Sequence, residues 1–356
     1  MEGQGHWIVG HIDTPVGRVP KVETALQFKD RLGSWKARWG IGRMSYAVEP
    51  GLYAVGNPDS SSPVFVTANY KMSFDALRAN LKGISAWIMV LDTKSINVWC
   101  AAGKGTFGTD EIVNRIERTN LSKIISHRTI ILPQLGAPGV SAHEVKRRSG
   151  YQVVYGPVRA SDIPQFVNNG LKATPEMRRV RFGFLDRLVL TPIEIVSWGR
   201  RMFWGRRAFI IISMLFLSAG LDRRGFLVGK ALSLGLQQLI MYLVAFLCGA
   251  FFTPLLLPWL PGRAFSVKGA FLGFLFALAI GWYRWNTFPG VGIGVNIIAW
   301  LFLLPAISSF IAVTFVGAST YTSLSGVFKE MTRAVPLQIT MSIIGLILLI
   351  SGQFLN

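Results

Sequence analysis

The sequence predicts an α/β domain with a doubly wound parallel sheet, followed by an all-α membrane domain of five transmembrane helices. Three observations predict it. Between residues 64 and 155, short apolar runs alternate with capped helical segments, the pattern of strands joined by crossover helices. After residue 207 the chain turns into long apolar stretches with few charges, as spanning helices require. Charge divides the same way: residues 1–207 carry a net +13 and residues 208–356 a net +6 of the total +19. With 51% hydrophobic residues and a mean hydropathy of +0.42, the chain is too apolar to be one soluble domain.

The elements follow in order. Residues 1–36 are polar with Gly and Pro and read as a loosely packed N-terminal arm. The α/β domain is expected over 37–175. Alternation in Met44–Val48 and Leu52–Val55 predicts a hairpin turning at Pro50-Gly51. Val64–Thr67 is a strand, and Ser73 caps a helix through Lys82. Ala86–Leu91 is a buried strand, followed by the polar turn Asp92–Ser95 and a short helix. Thr109 caps a helix through Arg118, Thr129–Leu132 is a strand, Ser141 caps a helix to Arg148, Tyr151–Tyr155 is a strand, and Ser161 begins a helix ending at Asn169-Gly170.

Residues 176–207 form a basic juxtamembrane linker, and spans are expected at 208–221, 226–257, 264–281, 291–316 and 336–354. Cations thicken before the first span, in Arg178, Arg179, Arg181, Arg187, Arg200, Arg201, Arg206 and Arg207. That placement suits anionic lipid headgroups and the positive-inside rule, and argues against nucleic acid. The N-terminus shows no apolar signal region, so the α/β half is expected in the cytoplasm of a multi-pass inner-membrane protein. Arg263, Lys268, Lys329 and Arg333 then fall inside, and Arg223, Arg224 and Arg284 outside. The polar stretch 317–326 is either a surface loop or a docking segment.

The chemistry centres on Asn97-Val98-Trp99-Cys100-Ala101-Ala102-Gly103-Lys104. It lies just beyond a strand's carboxyl end, where open α/β sheets bind ligands. Asn97 is a good N-cap and Gly103 a good stop, leaving little more than one turn with Cys100 at N3. A thiol there faces a positive helix end, which favours the thiolate. A lone Cys is most often a small buried hydrophobe, but Ala101, Ala102 and Gly103 add little bulk beside this sulfur, as a broad, flat partner would need. Thr67-Ala68-Asn69-Tyr70 and the Gly-rich run Pro133–Ser141 converge on the same rim. Cys248 lies in an apolar span, so the chain has no disulfide framework, CxxC pair or Cys₄ cluster, and electrons for any redox step come from elsewhere. His127, before a strand on the far rim, and His143, inside a helix, lack metal-ligand spacing.

The octapeptide resembles the N-(V/I)-W-C-A-(A/G)-G-K signature of the mercury-methylating corrinoid proteins (HgcA), a family related to the corrinoid iron-sulfur protein of the acetyl-CoA pathway. The resemblance implies a Rossmann-like corrinoid-binding domain with a cobalamin-type cofactor. It implies Cys100 as lower axial ligand of cobalt, and ring contacts from Asn97, Val98, Trp99, Ala101, Ala102, Gly103 and Lys104. Thr67, Asn69 and Tyr70 are assigned to the ring on the same ground, and Gly136, Ala137, Gly139 and Ser141 to the nucleotide tail. It further implies corrinoid-dependent methyltransferase activity that gives methylmercury from Hg(II), with a methyl-tetrahydrofolate pathway as methyl source. A separate ferredoxin-like protein with 4Fe-4S clusters (HgcB-type) would donate electrons. Two rivals remain: a corrinoid methyl carrier of one-carbon metabolism, and a transporter with a regulatory domain. The second is disfavoured because the spans lack an evident charged pathway, Asp222 and Glu330 both lying near span ends.

Overall fold

The computed structural model describes residues 5–203, 221–222, 225–226, 228–287, 290–315 and 324–355. Its contacts divide the chain into two units, Met1–Val180 and Arg181–Asn356.

Ala86–Leu91 (β5) is six apolar residues in a row and every one is buried. Such a run suits a strand covered on both faces, where alternation has no solvent side to report. Val64–Ala68 (β4), equally buried, lies parallel beside it. Thr129–Leu132 (β6) and Gln152–Tyr155 (β7) extend the parallel set beyond β4. Three further strands complete the other side: Ile8–Thr14 (β1), Gly17–Val22 (β2) and Gly51–Val55 (β3), giving the order β1-β2-β3-β5-β4-β6-β7. Of these, β3 is antiparallel to β5, β2 parallel to β3, and β1 antiparallel to β2.

Helices cover both faces. Val64, Val66, Trp87 and Met89 pack with Ile112 and Ile116 of Thr109–Arg118 (α4) and Val145 of Ala142–Ser149 (α5). Phe65, Ile88 and Val90 pack on the other side with Phe74 and Leu77 of Lys71–Ala79 (α2) and with Ile163 and Phe166 of Ile163–Asn168 (α6). Strand order reverses between β4 and β6, so the sheet has the switch point at which doubly wound folds bind ligands.

Two expectations are corrected. The expected loose arm at 1–36 is ordered where it is described: residues 5–36 supply the β1-β2 edge and most of helix Phe28–Arg38 (α1), pinned to the domain by buried charge. Nor do residues 39–55 form a hairpin. Arg43–Ser45 is a 3₁₀ turn, Ala47 bridges Tyr70, and β3 takes β5 and β2 as neighbours. Alternation is a property of one strand, and it does not name the partner. Helix starts shift slightly, since Tyr70 rather than Ser73 caps α2.

In the second unit Phe184–Phe203 forms a helix across the expected linker. Among the described residues, four helical segments are long and apolar enough to cross a membrane: Ala231–Leu256, Phe265–Thr287, Val291–Val313 and Gly326–Gln353. They correspond to four of the five expected spans, while the span at 208–221 and most of the polar stretch 317–326 lie outside the described residues. A π turn at Cys248–Phe252 interrupts the first, and there the Thr253 hydroxyl donates to the Cys248 carbonyl at 2.6 Å. Gly269 and Gly273 let Phe265–Thr287 approach Val291–Thr314 closely, where a Cβ would meet Ser308 and Pro305.

Candidate functional site

Beyond β5 the chain makes a tight loop into Val98–Lys104 (α3). Lys94 and Ser95 both take positive φ, +57° and +59°, which side chains resist. Asp92 and Asn69 hold them there: the Lys94 amide donates to Asp92 Oδ1 at 3.1 Å, and Asn69, at the end of β4, takes the rest of the turn. Its Oδ1 accepts from the Thr93 amide at 3.1 Å, the Thr93 hydroxyl at 2.8 Å and the Ser95 amide at 3.1 Å. A buried side chain with three donors converging on one oxygen is a structural staple, so Asn69 positions the loop.

Asn97 caps α3 by accepting from the Cys100 amide at 2.9 Å, which places Cys100 at N3 as expected. The helix ends later than expected, at Gly105 with φ +80°, because Gly103 stays helical. Val98, Ala101 and Ala102 are buried in the core, whereas Trp99, Cys100, Gly103 and Lys104 face solvent. The thiol therefore stands on the outer face of its helix. A Cβ built on Gly103 would meet nothing within 4 Å, so the surface beside the sulfur is open.

The Pro133–Ser141 rim supports α3 from behind. Gln134–Gly139 forms a 3₁₀ turn in which a Cβ on Gly139 would press on backbone, reaching the Cα of Ala102 at 2.9 Å and colliding with the Phe107 carbonyl. Gly136 lies as close to the Phe107 ring. These glycines, read in sequence as ligand-facing, permit the close approach of turn and helix. Ala137 is half-buried in the same turn, and Ser141 caps α5, its amide donating to Thr109 Oγ1 at 2.9 Å.

A cavity of about 310 Å³ opens at the switch point, bounded by Thr67, Ser73, Leu77, Val98, Leu132 and Pro157. Thr67 is thus brought to the site. Tyr70 is not freely presented: it is buried, its hydroxyl donates to Met72 Sδ at 3.2 Å, and Arg43 lies over its ring at 5.6 Å. Burial pushes its phenol pKa up against the pull of Arg43 and Arg38. His127 contacts the Ser62 carbonyl on the far rim, and no metal-binding cluster of His, Cys, Asp or Glu occurs among the described residues.

Sequence reasoning missed Thr93 and Phe107. Thr93 left no signal in a polar turn. Phe107, a lone aromatic in Gly105-Thr106-Phe107-Gly108, was legible as an anchor. Also unread was the buried cluster behind α2, where Lys71 Nζ contacts Asp30 Oδ1 at 2.8 Å and Arg78 contacts both Asp30 Oδ2 at 2.8 Å and Asp75 Oδ1 at 2.7 Å.

The first unit is therefore a doubly wound α/β domain that presents one exposed thiol on a short capped helix beside an apolar cavity at its switch point. Residues 41–167 match the family model for the CO dehydrogenase/acetyl-CoA synthase delta subunit, CdhD. The same region is similar to the acetyl-CoA decarbonylase/synthase complex subunit gamma of Methanocaldococcus jannaschii, 33% identical over 129 residues, covering 36% of this chain and 26% of that protein. The subunit gamma of Methanopyrus kandleri is 31% identical over 122 residues and that of Archaeoglobus fulgidus 30% over 123, each covering 34% of this chain and 26% of the relative. The chain thus spans about a quarter of the length of the curated relatives it matches. The relation to acetyl-CoA-pathway proteins expected from the octapeptide is borne out for the α/β domain.

Proposed function

We propose that this protein is a corrinoid-dependent methyltransferase whose Cys100 is the lower axial ligand of cobalt and whose methyl acceptor is Hg(II), giving methylmercury. The single observation that carries it is the exposed Cys100 sulfur on α3, with only Gly103 and Lys104 one turn further along the same face. The similarity of residues 41–167 to acetyl-CoA decarbonylase/synthase subunits supports the corrinoid, and the octapeptide supports the acceptor.

The residues present fit such a group. A disc laid on α3 would find the thiol accessible, since Ala101 and Ala102 are buried and Gly103 adds no side chain beside it. Trp99, 39% exposed, and Lys104 flank it with an apolar ring and a cation. The cavity beside Val98 offers apolar walls and the Thr67 and Ser73 hydroxyls to a smaller appended group. When bound, a cobalt corrinoid supplies a metal able to receive a methyl group and release it. Cys100 would hold the metal and contribute electron density to it: a thiolate donates more strongly than imidazole or water, which would suit methyl transfer to an electrophile. Hg(II) is such an electrophile. Asn97 and Asn69 hold the sulfur in place, and no described residue supplies a metal cluster, so reducing electrons would come from a separate ferredoxin-like iron-sulfur protein.

The test is cobalt K-edge spectroscopy of the reconstituted protein and of Cys100→Ala, with methyl transfer to Hg(II) and to acetyl-CoA-pathway acceptors assayed side by side. A cobalt–sulfur distance present only with Cys100, and methylmercury formation lost in the variant, are expected. Undiminished methylmercury from Cys100→Ala would overturn the ligand role; transfer to the carbon-pathway acceptors alone would favour the methyl-carrier reading.

A further inference from the structure

Helix α1 is built inside out for a soluble domain. Its inward face carries Asp30, 1% exposed and bonded to Lys71 and Arg78, together with Ala37 and the close-packed Gly33. Its outward face carries Phe28, Leu32 and Trp35, which are 76%, 36% and 56% exposed, and Trp39, whose ring centroid lies 6.0 Å from that of Trp35. At 3.6 residues per turn these four positions fall in a stripe roughly 60° wide, directly opposite Asp30 and Ala37. Ile41 and Met44, 56% and 70% exposed, follow the helix in sequence. Isolated apolar side chains on a surface are ordinary, but a stripe of this kind marks an interaction site.

The charges beside the stripe identify its occupant. Lys29 and Lys36 fall along one edge, Arg31 and Arg38 along the other. Two tryptophans and a phenylalanine between rows of long cationic side chains is the arrangement of a helix lying in a bilayer interface, rings among the acyl boundary and cations on phosphates. The chain that carries α1 also carries helices long enough to span a membrane, so the domain is tethered where such a surface is always at hand.

We infer that α1 is an interfacial anchor that seats the α/β domain on an anionic lipid surface through Phe28, Leu32, Trp35 and Trp39. Lys29, Arg31, Lys36 and Arg38 meet the headgroups. The ion cluster under Asp30 supplies what apolar packing cannot on this helix: it fixes the inner face by charge and leaves the hydrophobic face for lipid.

The experiment uses the full chain in nanodiscs, with the photocrosslinker p-benzoylphenylalanine replacing Trp35 in one sample and the solvent-exposed His143 of α5 in another. Adducts are identified by peptide mass. With phosphatidylglycerol in the disc, lipid adducts at position 35 should exceed those at position 143 by about tenfold. They should fall severalfold in pure phosphatidylcholine and in Lys29→Glu/Lys36→Glu. Equal lipid adducts at the two positions, or adducts at 35 joining two copies of the chain, would overturn the inference. Labelling indifferent to both lipid composition and charge reversal would overturn the anionic assignment; the lipid-composition arm needs no charge variant to fold.

Discussion

α1 and α3 are both short helices on the surface of one domain, and they divide polar from apolar in opposite senses. α3 turns Val98, Ala101 and Ala102 inward and shows solvent a thiol and an ammonium, with the Trp99 ring beside them. α1 buries a carboxylate and shows solvent three large apolar side chains. The difference teaches that an outward face is meaningful only against what holds the inward one. Apolar packing and backbone fit hold α3, so its exposed residues are free for chemistry. An ion cluster holds α1, so its apolar residues are free for a second phase.

The comparison breaks first at Asp30. Asp30→Ala removes a partner from both Lys71 and Arg78, which are 2% and 0% exposed, and should destabilise the domain by about 3–5 kcal/mol in chemical unfolding. A loss under about 1 kcal/mol, the range of a surface pair, would mean that charge does not hold α1. Next is Gly139→Val, which drives a side chain into the backbone of Ala102 and Phe107 and should cost about 1–3 kcal/mol by the same assay. It should also displace α3, read as a changed rate of Cys100 alkylation.

Acid sharpens the contrast. Burial pushes the Asp30 carboxyl up, but Lys71, the Gln27 amide and Arg78 prevail and hold it at about 2. A depressed carboxyl stabilises the fold fully above the ordinary carboxylate range, and that contribution is lost as pH falls toward 2. Wild type should therefore lose stability between about pH 4 and pH 2 more steeply than Asp30→Asn, followed by unfolding at a series of pH values. Asn97→Ala should cost only about 1 kcal/mol, the worth of an N-cap, with amide exchange in α3 rising most. Smallest of all, Trp35→Ser should change stability by no more than about 0.5 kcal/mol, since its ring is 56% exposed.

Where apolar pattern and architecture coincide, the chain was readable. The runs Ala86–Leu91 and Thr129–Leu132 are strands with the expected limits, and Asn97 caps the helix that carries Cys100. The first 36 residues were opaque because their order comes from long-range contacts. Asp30 meets Lys71 across 41 positions, and nothing local in either predicts the other. Even the spacing of Phe28, Leu32, Trp35 and Trp39 gives no sense of direction, since a stripe looks the same whether it faces a core or a membrane. At the candidate site the thiol and its cap were legible. The roles of Asn69, Gly136 and Gly139 were not, because a residue that shapes a pocket and one that touches a ligand share composition.

The two left-handed residues ahead of α3, pinned by the Asp92 carboxylate and the Asn69 amide oxygen, bear on kinetics. Conformational search in that loop is finished when the domain folds, so little ordering entropy remains to oppose capture of a large planar molecule by the sulfur. Association should then be governed by arrival and desolvation. Removing the Asn69 oxygen should slow it without changing which atoms make the final contact.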